Sequence, residues 1–142
     1  MGSMALLRQL YWDTDWYSKG NIKTIDMTLE AFKNNKNLTQ IMAAGSRANA
    51  MRADKIGDQF EIQYTIVGGG DEYERIQAVK NTNATYIIPI NFPKPYDVED
   101  TFLADRLELE SMREWNQRPA NPSILAENLS LIHISEPTRL VS

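Results

Sequence analysis

The chain has 142 residues, 42% of them hydrophobic and 24% charged, which suits one globular domain and is too short for two ordinary ones. Its net charge of −4, with Lys and Arg scattered among acids, excludes a basic stripe for nucleic acid, and no run of about 18 apolar residues exists to span a membrane. Cysteine is absent and His133 is the single histidine, so disulfides and thiolate metal sites are excluded and imidazole chemistry is almost so.

The amino terminus, Met-Gly-Ser-Met-Ala, lacks the charged region and apolar core of a signal peptide. It reads best as an internal methionine taken for a start, with a tag remnant as the alternative. Residues 4–16 predict a helix with Leu6, Leu7, Leu10 and Tyr11 on one face, ending before the turn-rich Ser18-Lys19-Gly20-Asn21. Trp12, Trp16 and Tyr17 read as core or interdomain packing ahead of sugar stacking. A short helix over 28–34 would turn Leu29 and Phe32 inward.

From residue 39 a rhythm sets in. The apolar run 39–43 predicts a strand, followed by a helix over 46–60 that buries Ala50, Ala53, Ile56 and Phe60. Residues 63–67 predict a second strand, entering Gly68-Gly69-Gly70, and residues 71–81 a helix with Tyr73, Ile76 and Val79 inward. A third strand over 85–90 leads into the proline-rich loop 91–96, and a helical stretch covers 101–115. Asn121-Pro122 then opens a last helix, with asparagine as cap and proline first in the helix.

The strands are apolar on both faces, as buried parallel strands are. Their starts recur roughly every 22–24 residues, the length of one strand, one helix and two short loops. The pattern predicts an α/β fold: a partial (β/α)8 TIM-type barrel of about three parallel strands with flanking helices, or a doubly wound sheet. A closed barrel takes about 250 residues, so this chain would expose edges that a complete barrel buries.

Gly68, Gly69, Gly70, Asp71 and Asn91 are the ligand-facing candidates, because they follow predicted strands at the end where barrels and open sheets bind ligands. Glycines ahead of a helix can cradle phosphate with free N–H groups. Asp71, Glu72 and Glu74, however, crowd that end with negative charge. The pattern favours a capping box of Asp71 and Glu74 over a cation- or ligand-facing role, and both over phosphate. These carboxylates could supply hard oxygen ligands, but neighbouring ones point different ways and only Asp71 would face a barrel mouth. The loop 91–97 reads as surface ahead of pocket wall. A Ser-His-Asp constellation is excluded over 1–128, which has no histidine.

Two resemblances follow from longer runs. Residues 129–139, Leu-Ser-Leu-Ile-His-Ile-Ser-Glu-Pro-Thr-Arg, resemble the translation of a transposon adapter used in building sequencing libraries. Residues 129–142 are therefore expected to be a non-native tail, the alternative being a genuine terminal strand, and residues 1–128 to be the natural body. Within that body, Met51-Arg52-Ala53-Asp54-Lys55-Ile56-Gly57-Asp58-Gln59-Phe60, Ile66-Val67-Gly68-Gly69-Gly70-Asp71-Glu72-Tyr73-Glu74-Arg75-Ile76, Tyr86-Ile87-Ile88-Pro89-Ile90-Asn91-Phe92-Pro93 and the run 115–126 resemble, in that order, the later half of an amidohydrolase barrel. The similarity is to the imidazolonepropionase-like branch found in large exported proteins of Bacteroidetes-type bacteria.

The resemblance implies a metal-dependent hydrolase of C–N bonds, with zinc as the parent's possible metal. It implies an exported or periplasmic parent, and as partners the remainder of the parent barrel and a second amidohydrolase domain, with neither nucleic acid nor membrane. It implies histidine ligands at the ends of the fifth and sixth barrel strands, which align with the first two strands here. Those ends carry Ala43-Ala44-Gly45 and Val67-Gly68-Gly69. No catalytic or metal residue carries over. The expected function is an amidohydrolase-like barrel segment that is a degenerate copy, inactive alone. The alternatives are a non-catalytic binding or scaffold domain, and a doubly wound nucleotide-binding domain.

Overall fold

A computed structural model describes residues 2–20, 24–90, 92–129 and 132–135. Two helices, α1 (Ser3–Lys19) and α2 (Met27–Asn34), precede a repeating unit of β1 (Gln40–Ala43), α3 (Arg47–Phe60), β2 (Tyr64–Val67), α4 (Ile76–Asn81) and β3 (Thr85–Pro89). Two helices, α5 (Thr101–Ala104) and α6 (Leu109–Gln117), then lead to α7 (Asn121–Asn128) and β4 (Ile132–Ser135).

All strand pairs are parallel and the order is β1-β2-β3-β4. The chain is thus α/β, with a sequentially ordered parallel sheet and no reversal of order among the described strands. The fourth strand exceeds the three expected. It lies in the segment expected to be a tail, where Ile132-His133-Ile134 has the alternation and β-branching that suit an edge strand whatever its origin.

Parallel neighbours joined in sequence by crossovers of one hand carry their helices on one face. The burial alternation agrees. Tyr64, Ile66, Tyr86 and Ile88 are buried and join Ala50 and Ile56 of α3, Val79 of α4 and Leu125 of α7 in one core. The alternate residues, Ala43, Thr65, Val67, Thr85, Ile87 and Pro89, are partly or fully exposed, and Ile41 is 64% exposed. The register puts His133 beside Ile87 on this same face. One sheet face is therefore covered, and the other, which mixes Ile41, Val67 and Ile87 with Thr65, Thr85 and His133, is more open.

Several local expectations are corrected. Position 3.6-residue periodicity along α1 selects Met4, Leu7, Tyr11 and Thr14 as the inner stripe, and Leu6 is 74% exposed. Trp12 and Trp16 are 48% and 66% exposed and so are not core of this chain. The helix expected over 71–81 is a 3-10 turn, Glu72–Arg75, followed by α4. The stretch 101–115 breaks into α5 and α6. Asn121 is inside α7 rather than its cap, and Pro122 follows as the second helical residue. Its carboxamide has been recruited elsewhere.

Candidate functional site

The loops at the carboxyl ends of β1, β2 and β3 form the end of the sheet where parallel α/β folds bind ligands. Backbone pairing continues past the strands: Ala44 N–H donates to Val67 O at 3.0 Å, and Gly68 N–H to Ile87 O at 2.9 Å. This draws residues 43–46 and 67–70 into contact. A Cβ on Gly69 would collide with the Gly45 carbonyl, one on Gly68 would collide with the Glu72 carboxylate, and Gly70 has a φ of +93°. Each glycine of the run thus has a steric or backbone reason to be glycine.

The N–H groups of that loop are already occupied. Glu72, fully buried, turns its carboxylate back under the loop. Gly69 N–H donates to Oε1 at 2.6 Å, Gly70 N–H donates to Oε2 at 3.0 Å, and Asn121 Nδ2 donates to Oε2 at 2.9 Å. Asn121 Oδ1 in turn accepts from Tyr73 N–H at 2.9 Å. A buried carboxylate survives when charge-assisted hydrogen bonds replace its water, and here three donors do so. The arrangement is an anion hole filled by the chain's own anion.

Two arginines clamp its margins. Arg118 Nη2 donates to Gly69 O at 3.0 Å and Nη1 to Glu114 at 3.3 Å, while its buried Nε has no protein partner. Arg118 also lines a cavity of about 10 Å3 with Gly70, Ile90, Phe92 and Asn121, near the lower limit for one water. Arg47 holds Asp71 twice, by its backbone N–H to Oδ1 at 2.8 Å and by Nη1 to Oδ2 at 2.9 Å, and reaches Glu74 at 2.6 Å.

The expected capping box is therefore replaced. Asp71 makes no side-chain cap bond, and both it and Glu74 are drawn to Arg47, at the start of α3, across the sheet end. Ser46 caps α3 by accepting Asn49 N–H, and Asp71 takes the helix's first N–H, that of Arg47. Of the ligand-facing candidates, Gly68, Gly69, Gly70 and Asp71 do meet at one place, but face inward to protein partners. Asn91 lies outside the described residues. The loop after it is largely surface: Phe92 is 61% exposed, and the Tyr96 hydroxyl donates to Ser111 O at 3.3 Å.

A zinc ion of the kind the resemblance implies does not fit these strand ends. Catalytic zinc takes three protein ligands. Alanine and glycine occupy two of the expected positions, and the nearby carboxylates of Asp71 and Glu72 are engaged by protein donors. Among the described residues no three His, Asp, Glu or Cys side chains converge as a metal site.

Sequence reasoning missed Glu72, Arg118 and Asn121 as one unit. The partners are 49 residues apart in sequence, and Asn-Pro carries a sufficient local meaning as a helix start. The electrostatic surroundings raise three tyrosines. Burial, then Glu74 and Glu114, pushes the Tyr73 hydroxyl up against the opposing pull of Arg118 and Arg47. Burial does the same to Tyr86, and burial together with the Tyr11 hydrogen bond to Tyr64. None is poised to act as a base near neutral pH.

The chain matches no family model, no curated protein and no solved structure. Among the described residues no helix is long and apolar enough to cross a membrane.

Proposed function

We propose that this chain is a segment of an amidohydrolase-like barrel and that the segment is a degenerate copy without catalysis of its own. The carrying observation is the Glu72 carboxylate in the Gly69–Gly70 anion hole, where it is held by donors of the chain itself, so that among the described residues the glycine loop has no N–H left for a ligand. Support for a barrel over a doubly wound domain comes from the sequential strand order, the helices on one face and the partly apolar open face. Phosphate binding in the glycine loop would require displacing Glu72.

In this reading the open sheet face is the barrel interior, the remainder of a parent barrel is the natural partner, and any zinc chemistry belongs to another part of an exported parent. Residues 129–142 are then a tail that lends an edge strand to the sheet. Two measurements test it. The chain, incubated with zinc and desalted, should retain far less than one equivalent by elemental analysis. Stoichiometric zinc that is lost in Asp71→Asn or Glu72→Gln would overturn the inactive reading. The adjoining gene sequence should encode further βα units; unrelated sequence on both sides would remove the barrel assignment.

A further inference from the structure

A second cleft lies at the opposite end of the sheet, where α3 runs down into β2. Its volume is about 380 Å3, within the range of small-molecule sites, and Tyr11, Trp12, Phe32 and Phe60 form its apolar wall. The rings are mutually braced. Tyr11 stands 5.2 Å from Phe32 at 60° and 4.9 Å from Phe60, and Trp12 stands 6.1 Å from Phe60 at 69°. The Tyr11 hydroxyl is held at 2.6 Å from that of Tyr64 at the start of β2. The wall is thus fixed to the core, while the Trp12 indole is 48% exposed toward solvent.

The polar lining is unevenly satisfied. Asp15 is paired with Lys19 at 2.6 Å on the exposed surface of α1, and the Gln59 carboxamide oxygen accepts from Arg8 Nε at 2.9 Å. Lys33 and Lys36 carry no ion pair among the described residues, against one such carboxylate, Glu61. The cleft therefore offers aromatic faces for stacking and two ammonium groups without ion pairs gathered at its α2 side, away from Asp15 and Glu61 in sequence.

We infer that the cleft bounded by Trp12, Phe60, Lys33 and Lys36 binds a planar aromatic monocarboxylate, its ring against Trp12 and Phe60 and its carboxylate at the two lysines. A flat ring gains by burial against the fixed aromatic wall, and a single negative charge meets the unpaired ammonium groups without a second charge for Glu61 to repel. The site is independent of the Glu72 network, so its failure would leave the barrel reading untouched.

The test titrates the full chain with 1-naphthoate, its neutral alcohol 1-naphthalenemethanol and the cationic 1-naphthylmethylamine, followed by amide and indole N–H shifts in two-dimensional NMR. Naphthoate should bind with a Kd of about 1 mM or tighter and shift the Trp12 indole N–H. The neutral analogue should bind about tenfold more weakly and the amine more weakly still. Trp12→Ala and the double variant Lys33→Ala/Lys36→Ala change exposed side chains, so the fold is retained and each should weaken naphthoate about tenfold. Absence of shifts at about 10 mM naphthoate, equal binding of all three probes, or unchanged affinity in both variants would each overturn the inference.

Discussion

The same strands serve two regions of opposite character. At their carboxyl ends every donor of the glycine loop is matched within the chain, and Glu72, Asn121, Arg118 and Arg47 tie four segments together. On their open face Ile41 is exposed and Val67 and Ile87 are only partly buried, while Ile66 and Ile88, the neighbours of the latter two, are fully buried. The difference separates two meanings of an apolar strand. Alternate apolar residues such as Ile66 and Ile41 divide between a finished core and an open face, because helices cover only one side. At the end that usually hosts chemistry the glycine loop's donors are taken, and the face that usually hosts packing is left partly uncovered.

The largest effect should come from breaking the glycine loop's internal pairing. Glu72→Ala strands the Gly69 and Gly70 N–H groups and the Asn121 amide, at about 1–3 kcal/mol per unsatisfied buried group, so a loss of about 3–5 kcal/mol in urea unfolding is expected. Glu72→Gln keeps one acceptor and should lose about half as much. If the hole is anion-specific, about 0.1 M formate should raise the Glu72→Ala midpoint and leave the parent chain unchanged. Equal stability of Glu72→Ala and the parent would show that the loop needs no internal anion.

The second prediction sets the two faces against each other. Ile66→Ala, on the covered side, should cost about 2–5 kcal/mol, whereas Ile41→Ala, 64% exposed, should stay within about 0.5 kcal/mol. Ile41→Lys should leave unfolding equally unaffected while reducing self-association in sedimentation velocity, since a charged side chain on an open strand discourages pairing with another sheet. Similar losses from Ile66→Ala and Ile41→Ala would mean that the open face is covered in solution.

Much of this contrast was legible in the sequence, but unequally. The β/α rhythm survives translation into three dimensions because each strand is a short, largely apolar run between turn signals, whichever of its faces is covered, and 39–43, 63–67 and 85–90 each contain the strand found. Which face lacks a cover was not legible, since Ile41 and Ile66 look alike in a string. Gly68, Gly69, Gly70 and Asp71 do come together past the strand ends, where the partners they meet are the chain's own Glu72 and Arg47. The local acid pattern pointed to a capping box, whereas Glu72 reaches back two and three residues, and Arg47 and Asn121 reach in from 24 and 48 residues away. Such long-range pairings leave no periodic trace, and Asn121 was masked by its own proline.

The smallest expected effect concerns the covered layer, which is not wholly free of electrostatic cost. Asp54 on α3 has its carboxyl pushed up from 3.8 to about 6, first by burial and then by Asp58 one turn on. A raised carboxyl binds its proton more tightly in the folded state, so its contribution to stability is fully present below about pH 3.8 and is lost as pH rises through about 6. Because the group is only partly buried, solvent screening reduces the effect to about 1 kcal/mol. Asp54→Asn, which holds a neutral side chain throughout, should therefore match the parent chain near pH 3.5 and exceed it by about 1 kcal/mol at pH 7, with the gap opening between about pH 4 and 6. Urea unfolding at closely spaced pH values reads this directly. A gap that is constant from pH 3.5 to 7 would assign the gain to helix propensity or packing and return Asp54 to an ordinary solvated carboxylate. A gap confined to that window would show that the covered face, finished in its packing, still holds one charge it solvates poorly.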